Sequence, residues 1–141
     1  MKRKAFAVWT GGIRDGRGVL TTDSGVLSDT QYSFATRFEN GAGTNPEELI
    51  AAAHAGCFSM ALSGILGAAG LTAETIKTTA TVTIEKKGEG FAITAVHLDL
   101  KAKVPGASAE AFQTAAKTAK EGCPVSKVLN AAITMDAVLE S

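Results

Sequence analysis

Residues 44–70 read TNPEELIAAAHAGCFSMALSGILGAAG. This stretch decides the fold. It opens as a helix start: Asn45 stands where an N-cap belongs, Pro46 at the first helical position, and Glu48 three residues after Asn45, where it closes a capping box. Leu49, Ile50, Ala53, Cys57, Ala61 and Leu62 then recur at helical spacing. Gly70 supplies the stop after a helix running to about Ala69. Between those ends nearly every face is Ala, Gly, Phe, Met, Leu or Ile. A helix apolar all round is buried all round. In a chain of 141 residues it has to be wrapped by sheet or by a second chain.

The flanking segments supply the sheet. On the N-terminal side, Lys4–Thr10 puts Phe6 and Val8 on one parity, and Gly11–Gly18 is a charged, turn-rich loop. Val19–Thr22 returns as the second strand of a hairpin. Gln31–Phe38 reads as a third strand, with Tyr32, Phe34 and Thr36 on one face and Arg37 on the other. On the C-terminal side, Thr75–Lys87 alternates, with Ile76, Thr78, Ala80, Val82 and Ile84 sharing a face, and Gly88-Glu89-Gly90 is a hairpin turn. The returning strand starts with Phe91 and Ile93 on one parity. It continues with Val96, Leu98, Leu100, Ala102 and Val104 on the other, a slip that predicts a bulge near Thr94-Ala95. Ser108 caps a helix through Glu121 whose apolar stripe is Phe112, Ala115, Ala116 and Ala119. Cys123-Pro124 starts a short helix, and Ile133, Met135, Ala137 and Leu139 form a last strand. The order β-β-β-α-β-β-α-α-β predicts one α+β domain over residues 1–141.

Lys plus Arg number 14 and Asp plus Glu 14, so there is no net field to attract nucleic acid or an anionic membrane. No apolar run is read as reaching the roughly 18 residues of a membrane helix. The N-terminus lacks the apolar region of a signal peptide. The expectation is a cytoplasmic protein, where lasting disulfides are uncommon. Its two cysteines are then either bland buried residues or a redox pair. There is no Cys-x-x-Cys, and two Cys and two His at these spacings do not make a zinc site. Gly41-Ala42-Gly43 lacks the Lys-Ser/Thr of a phosphate loop, and no dinucleotide fingerprint follows a strand.

A cysteine attacks a peroxide only as thiolate, of which a free thiol holds about 3% at neutral pH. A cation or a helix N-terminus has to supply the rest. By that measure Cys123, at a helix start, leads. Cys57, about twelve residues into its helix, needs a nearby Arg. Arg37 is one candidate, and Arg14 and Arg17 in the glycine loop are rivals. His54, one turn before Cys57, is a possible base. His97, with parity opposite to the apolar face, is expected at the surface.

Gly43-Thr44-Asn45-Pro46-Glu47-Glu48-Leu49, followed by Ala53-His54-Ala55-Gly56-Cys57-Phe58-Ser59-Met60-Ala61-Leu62, resembles the osmotically inducible protein C family, which also contains the organic hydroperoxide resistance proteins. Cys123-Pro124-Val125-Ser126-Lys127-Val128-Leu129 is similar to the second cysteine motif of that family. The Gly12–Gly18 loop and Tyr32–Phe38 also fit, so the likeness covers essentially the whole chain, and Thr36-Arg37-Phe38 favours the osmotically inducible branch. The resemblance reverses the order of the cysteines. It implies that Cys57 attacks the peroxide and that Cys123 resolves the sulfenic acid into an intramolecular disulfide, with Arg37 and Glu47 completing the site. It further implies an intertwined homodimer with central helices packed inside sheets, no metal or bound cofactor, and a dithiol reductant such as a lipoyl group. Phe34, Phe38, Phe58 and Met60 are expected as an apolar wall for an organic tail. The competing expectation is a non-catalytic protein that binds small apolar molecules or senses redox state. Glu47 and Cys57 are ten residues apart on one helix, about 15 Å along its axis. Glu47 is therefore expected to serve the cysteine of the other subunit, or only to cap its own helix.

Overall fold

The computed structural model describes residues 1–141. The chain forms two compact units, Met1–Leu49 and Ile50–Ser141, with the boundary inside the long apolar helix. In the first unit, β1 (Ala5–Thr10), β2 (Arg17–Thr22) and β3 (Thr30–Tyr32) form an antiparallel sheet in the order β1-β2-β3. Gly18 in β2 has no room for a side chain, because a Cβ there would run into the Tyr32 ring and crowd Trp9. Those two rings meet at 5.6 Å between centroids.

The strand expected over Gln31–Phe38 stops at Tyr32. It is followed by a short helix, α1 (Phe34–Phe38). The alternation of Tyr32, Phe34 and Thr36 fits a strand, but Ser33 and Thr36 close a reciprocal capping box that wins locally. The Thr36 N–H donates to Ser33 Oγ at 3.2 Å and the Ser33 N–H to Thr36 Oγ1 at 2.8 Å. Phe34 and Phe38 then stack one turn apart, 4.9 Å between centroids.

Helix α2 (Pro46–Ala68) has the expected start: the Glu48 N–H donates to Asn45 Oδ1 at 2.8 Å. The return arm of the box is missing, because the Glu48 carboxylate accepts from Thr44 Oγ1 at 2.7 Å instead. In the second unit, β4 (Thr75–Lys87) pairs antiparallel with β5 (Gly90–Lys103), and β6 (Ala132–Glu140) lies parallel to β5. The bulge falls where expected: Thr83 faces Ala95, Ile84 faces Ile93, and Thr94 is the extra residue. A parallel pair needs a crossover. Here it is α3 (Ala109–Gly122) and α4 (Pro124–Val128). The core gathers Phe58, Leu62 and Leu66 of α2, Val96, Leu98 and Leu100 of β5, and Phe112 and Ala116 of α3. Each fully buried Phe or Leu contributes about 1.5–3 kcal/mol.

Within this chain α2 is buried on one face only. Ala53, Gly56, Met60, Gly64 and Gly67 stay exposed, Met60 by 79%. By length and composition α2 is also apolar enough to cross a membrane. This corrects the expectation that no run qualifies. His54, Ser59 and Ser63 interrupt a strictly apolar run without lowering its average enough. Core helices meet the same measure, and the Phe58-Leu62-Leu66 face is core.

Candidate active site

Two of the predicted groups meet in the first unit. Arg37 leaves the last turn of α1 and Glu47 the first turn of α2. The Glu47 carboxylate accepts from Arg37 Nε at 3.0 and 3.2 Å and from Nη2 at 2.8 Å. Glu47 is buried, with its side chain 9% exposed, while that of Arg37 is 39% exposed. A buried carboxylate thus grips one edge of a planar guanidinium whose carbon lies over the Phe38 ring, 5.3 Å from its centroid. The loop between them is fixed by Gly43, at φ +131, and by the Thr44 N–H donating to the Gln31 carbonyl at 2.9 Å. Asn45 Nδ2 ties the α2 start to the Thr36 carbonyl at 3.0 Å. Beside this pair opens a cavity of about 220 Å³ lined by Trp9, Ile13, Tyr32, Phe34, Phe38 and Pro46.

The other two meet in the second unit. The Sγ atoms of Cys57, on α2, and Cys123, at the junction of α3 and α4, are 2.8 Å apart, and both cysteines are free. Burial pushes the Cys57 thiol up, and the hydrogen bond to Cys123 adds to this, against one opposing backbone contact at Val125. Burial alone would raise Cys123 too. The hydrogen bond with Cys57, the backbone N–H groups of Ser126 and Val125 and the Ser126 hydroxyl outweigh it and leave its pKa lowered. Either sulfur can donate along the line joining them, and the ring of donors around Cys123 favours the anion there. Within its own unit, then, Cys123 is the better thiolate, as its helix-start position suggests.

Of the rival cations, Arg14 stacks over the ring of Phe34, a residue of this same cavity wall, at 4.7 Å, and Arg17 is an exposed residue of β2. Phe34 and Phe38 line the cavity as expected. Phe58 does not belong to an accessible wall, being fully buried in the core, and Met60 projects from the open face of α2. His97 is half-exposed on the outer face of the β5-β6 pair, where Thr134, Asp99 and Asp136 surround it. Ligand atoms of His97, Asp99 and Asp136 lie within 4.8 Å of one another, close enough to share a metal ion. The cluster is open to solvent, Asp136 by 78% of its side chain, and we assign it no role. A larger cleft of about 470 Å³ runs along Ile65, Leu66 and Leu71 to the first turns of α3, the end of α3 away from Cys123.

The family model for OsmC-like protein matches residues 39–138. Peroxiredoxin OsmC of Escherichia coli (strain K12) is 53% identical over 139 residues, covering 99% of this chain and 97% of the relative. The chain belongs to the OsmC-like family. Among solved structures, the organic hydroperoxide resistance protein OhrB of Bacillus subtilis superposes with a TM-score of 0.70 at 27% identity, over 95% of this chain and 97% of that one. An organic hydroperoxide resistance protein from Elizabethkingia anophelis superposes with a TM-score of 0.74 at 26% identity, over 99% of each chain. Sequence reading missed three features of this OsmC-like protein. The Ser33–Thr36 box was visible as a spacing. Ser126, inside the second cysteine motif, was not singled out. The Trp9-Ile13-Tyr32 side of the cavity depends on how the first sheet folds and leaves no periodic trace.

Proposed function

We propose that this OsmC-like protein is a cysteine-dependent peroxidase that reduces organic hydroperoxides, and hydrogen peroxide less well. Residues 1–141 act as one functional domain in an intertwined homodimer. The observation that carries this reading is the pair of sulfurs 2.8 Å apart, one on the long apolar helix and one at a helix start. The relative named Peroxiredoxin OsmC supports the redox chemistry. The apolar cavity beside Arg37 supports the preference for an organic tail.

The Cys57 thiolate attacks the distal peroxide oxygen. A sulfur–oxygen bond forms, the oxygen–oxygen bond breaks, and the leaving alkoxide, or hydroxide when the substrate is hydrogen peroxide, takes a proton from solvent to depart as alcohol or water. Cys57 is now a sulfenic acid. Cys123 attacks its sulfur, the disulfide forms and water departs. A dithiol, such as a lipoyl group, returns both thiols by exchange and is itself oxidised. No metal or bound cofactor enters. Such a donor suits a reducing compartment, the cytoplasm.

Cys57 needs help to ionise, because burial holds its pKa up. Arg37, oriented by Glu47, is the cation proposed for it. The ten residues from Glu47 to Cys57 lie in unbroken helix, about 15 Å of rise. We therefore assign the Arg37–Glu47 pair to the cysteines of a second copy. The open Ala53-Gly56-Met60-Gly64-Gly67 face of α2 supports dimerisation, since small residues let two helices approach closely.

The test is consumption of cumene hydroperoxide with dithiothreitol or a dihydrolipoyl donor. Cys57→Ser is expected to abolish turnover. Cys123→Ser is expected to react once and then stall or over-oxidise. Consumption by the parent and both variants no faster than by the dithiol alone would leave a non-catalytic binding or redox-sensing protein.

A further inference from the structure

His54 is fully buried, and its Nε2 lies 2.7 Å from the Oγ of Ser126, 72 residues further along the chain. Its other ring nitrogen, Nδ1, is buried with no hydrogen-bond partner. Burial lowers the pKa of this imidazole and keeps it neutral, so it carries one ring proton. On Nδ1 that proton would be an orphaned buried N–H, which is rarer than an under-used acceptor. The proton therefore sits on Nε2, and His54 donates to Ser126. The single hydroxyl hydrogen of Ser126 is then left for another acceptor, and Cys123 caps the short helix that carries Ser126, three residues before it. The His54 Nε2–H thus points at Ser126 Oγ and leaves the Ser126 O–H to turn toward the Cys123 sulfur.

We propose that His54 and Ser126 are positioning residues for disulfide closure, the imidazole orienting the serine hydroxyl so that it holds the Cys123 sulfur as the attacking anion. The groups facing that sulfur are Cys57, the backbone N–H groups of Val125 and Ser126, and the Ser126 hydroxyl. In the step served, the Cys123 thiolate attacks the sulfur of Cys57 sulfenic acid. The sulfur–sulfur bond forms, the sulfur–oxygen bond breaks, and hydroxide leaves and takes a proton from solvent. The Cys123 sulfur is oxidised and the Cys57 sulfur reduced. The attack rests on the peroxidase reading; the hydrogen-bond chain does not.

In a Cys57→Ser background one thiol remains, and its ionisation is followed by thiolate absorbance against pH. His54→Asn puts no group at the Nε2 position, and Ser126→Ala, a small change that spares the core, removes the hydroxyl. Both are expected to move the Cys123 titration upward by about one to two pH units. His54→Gln, whose side-chain N–H falls near the Nε2 position, is expected to titrate with its parent. A merely structural His54 would not separate Asn from Gln in this readout. If all four proteins titrate together, or if Gln moves as far as Asn, the proposal is overturned. The same substitutions with Cys57 present are expected to slow peroxide-driven disulfide formation while leaving sulfenic acid formation at the parent rate. Failure of the parent to consume peroxide at all would overturn the peroxidase reading and the closing role, and the titration difference would still stand.

Discussion

Cys57 and Cys123 share one contact and carry opposite electrostatic biases, and the contrast shows what a residue's local setting decides. Cys123 has donors converging on it from the first turn of α4, while Cys57 has burial and a neighbouring sulfur. Both cysteines and their motifs were legible in the sequence. The assignment of roles was not, because a helix-start argument favours Cys123 and only the family likeness favours Cys57. His54 makes a prediction at this scale. Burial lowers its pKa below the ordinary 6.5, so the unfolded chain binds the proton first as pH falls. Where the unfolded state holds more protons, stability rises with pH. The neutral imidazole therefore contributes fully above pH 6.5, and the contribution is lost as pH falls below that value. Urea midpoints are expected to drop from pH 6.5 downward before the carboxylates titrate, and His54→Gln is expected to flatten that slope. An unchanged slope in the variant would contradict the assignment. The His54–Ser126 contact itself could not be read from sequence, since its partners are 72 residues apart.

The elements were legible where periodicity is strong and misread where a cap competes with it. The alternation of β4 and β5 gave the hairpin and even the extra residue at Thr94. Asn45-Pro46 gave the start of α2. Over Ser33–Phe38 a two-residue alternation coexisted with a capping box, and the box prevailed because four hydrogen-bonding groups are satisfied within one turn. That turn is what aims Arg37 at Glu47, together with the tight loop after it. Gly43, at φ +131, sits against the Gln31 carbonyl, so a Cβ meets both a strained backbone and a blocked space. Gly25, at φ +77, has nothing within 4 Å. Gly43→Ala is expected to cost about 1–3 kcal/mol, more than Gly25→Ala, measured as the shift in unfolding midpoint. Equal losses would mean that the Gly43 loop does not constrain the Arg37–Glu47 pair.

At the scale of the whole molecule, the sequence implied a helix buried on every side, yet this chain covers only the Phe58-Leu62-Leu66 face. The remaining apolar face is the one proposed to meet a second copy. A periodic pattern reports that a face is apolar and is silent on whose residues cover it. The residues proposed for the site divide the same way, Arg37 and Glu47 in one compact unit and both cysteines in the other. The central claim is that two copies each complete the other's peroxidase site. It is tested by co-refolding an Arg37→Met chain with a Cys57→Ser chain, each inactive alone, and measuring cumene hydroperoxide turnover. In mixed dimers one site regains both groups, so an equimolar mixture is expected to recover about a quarter of the parent activity. A mixture as inactive as its two components would contradict the shared site.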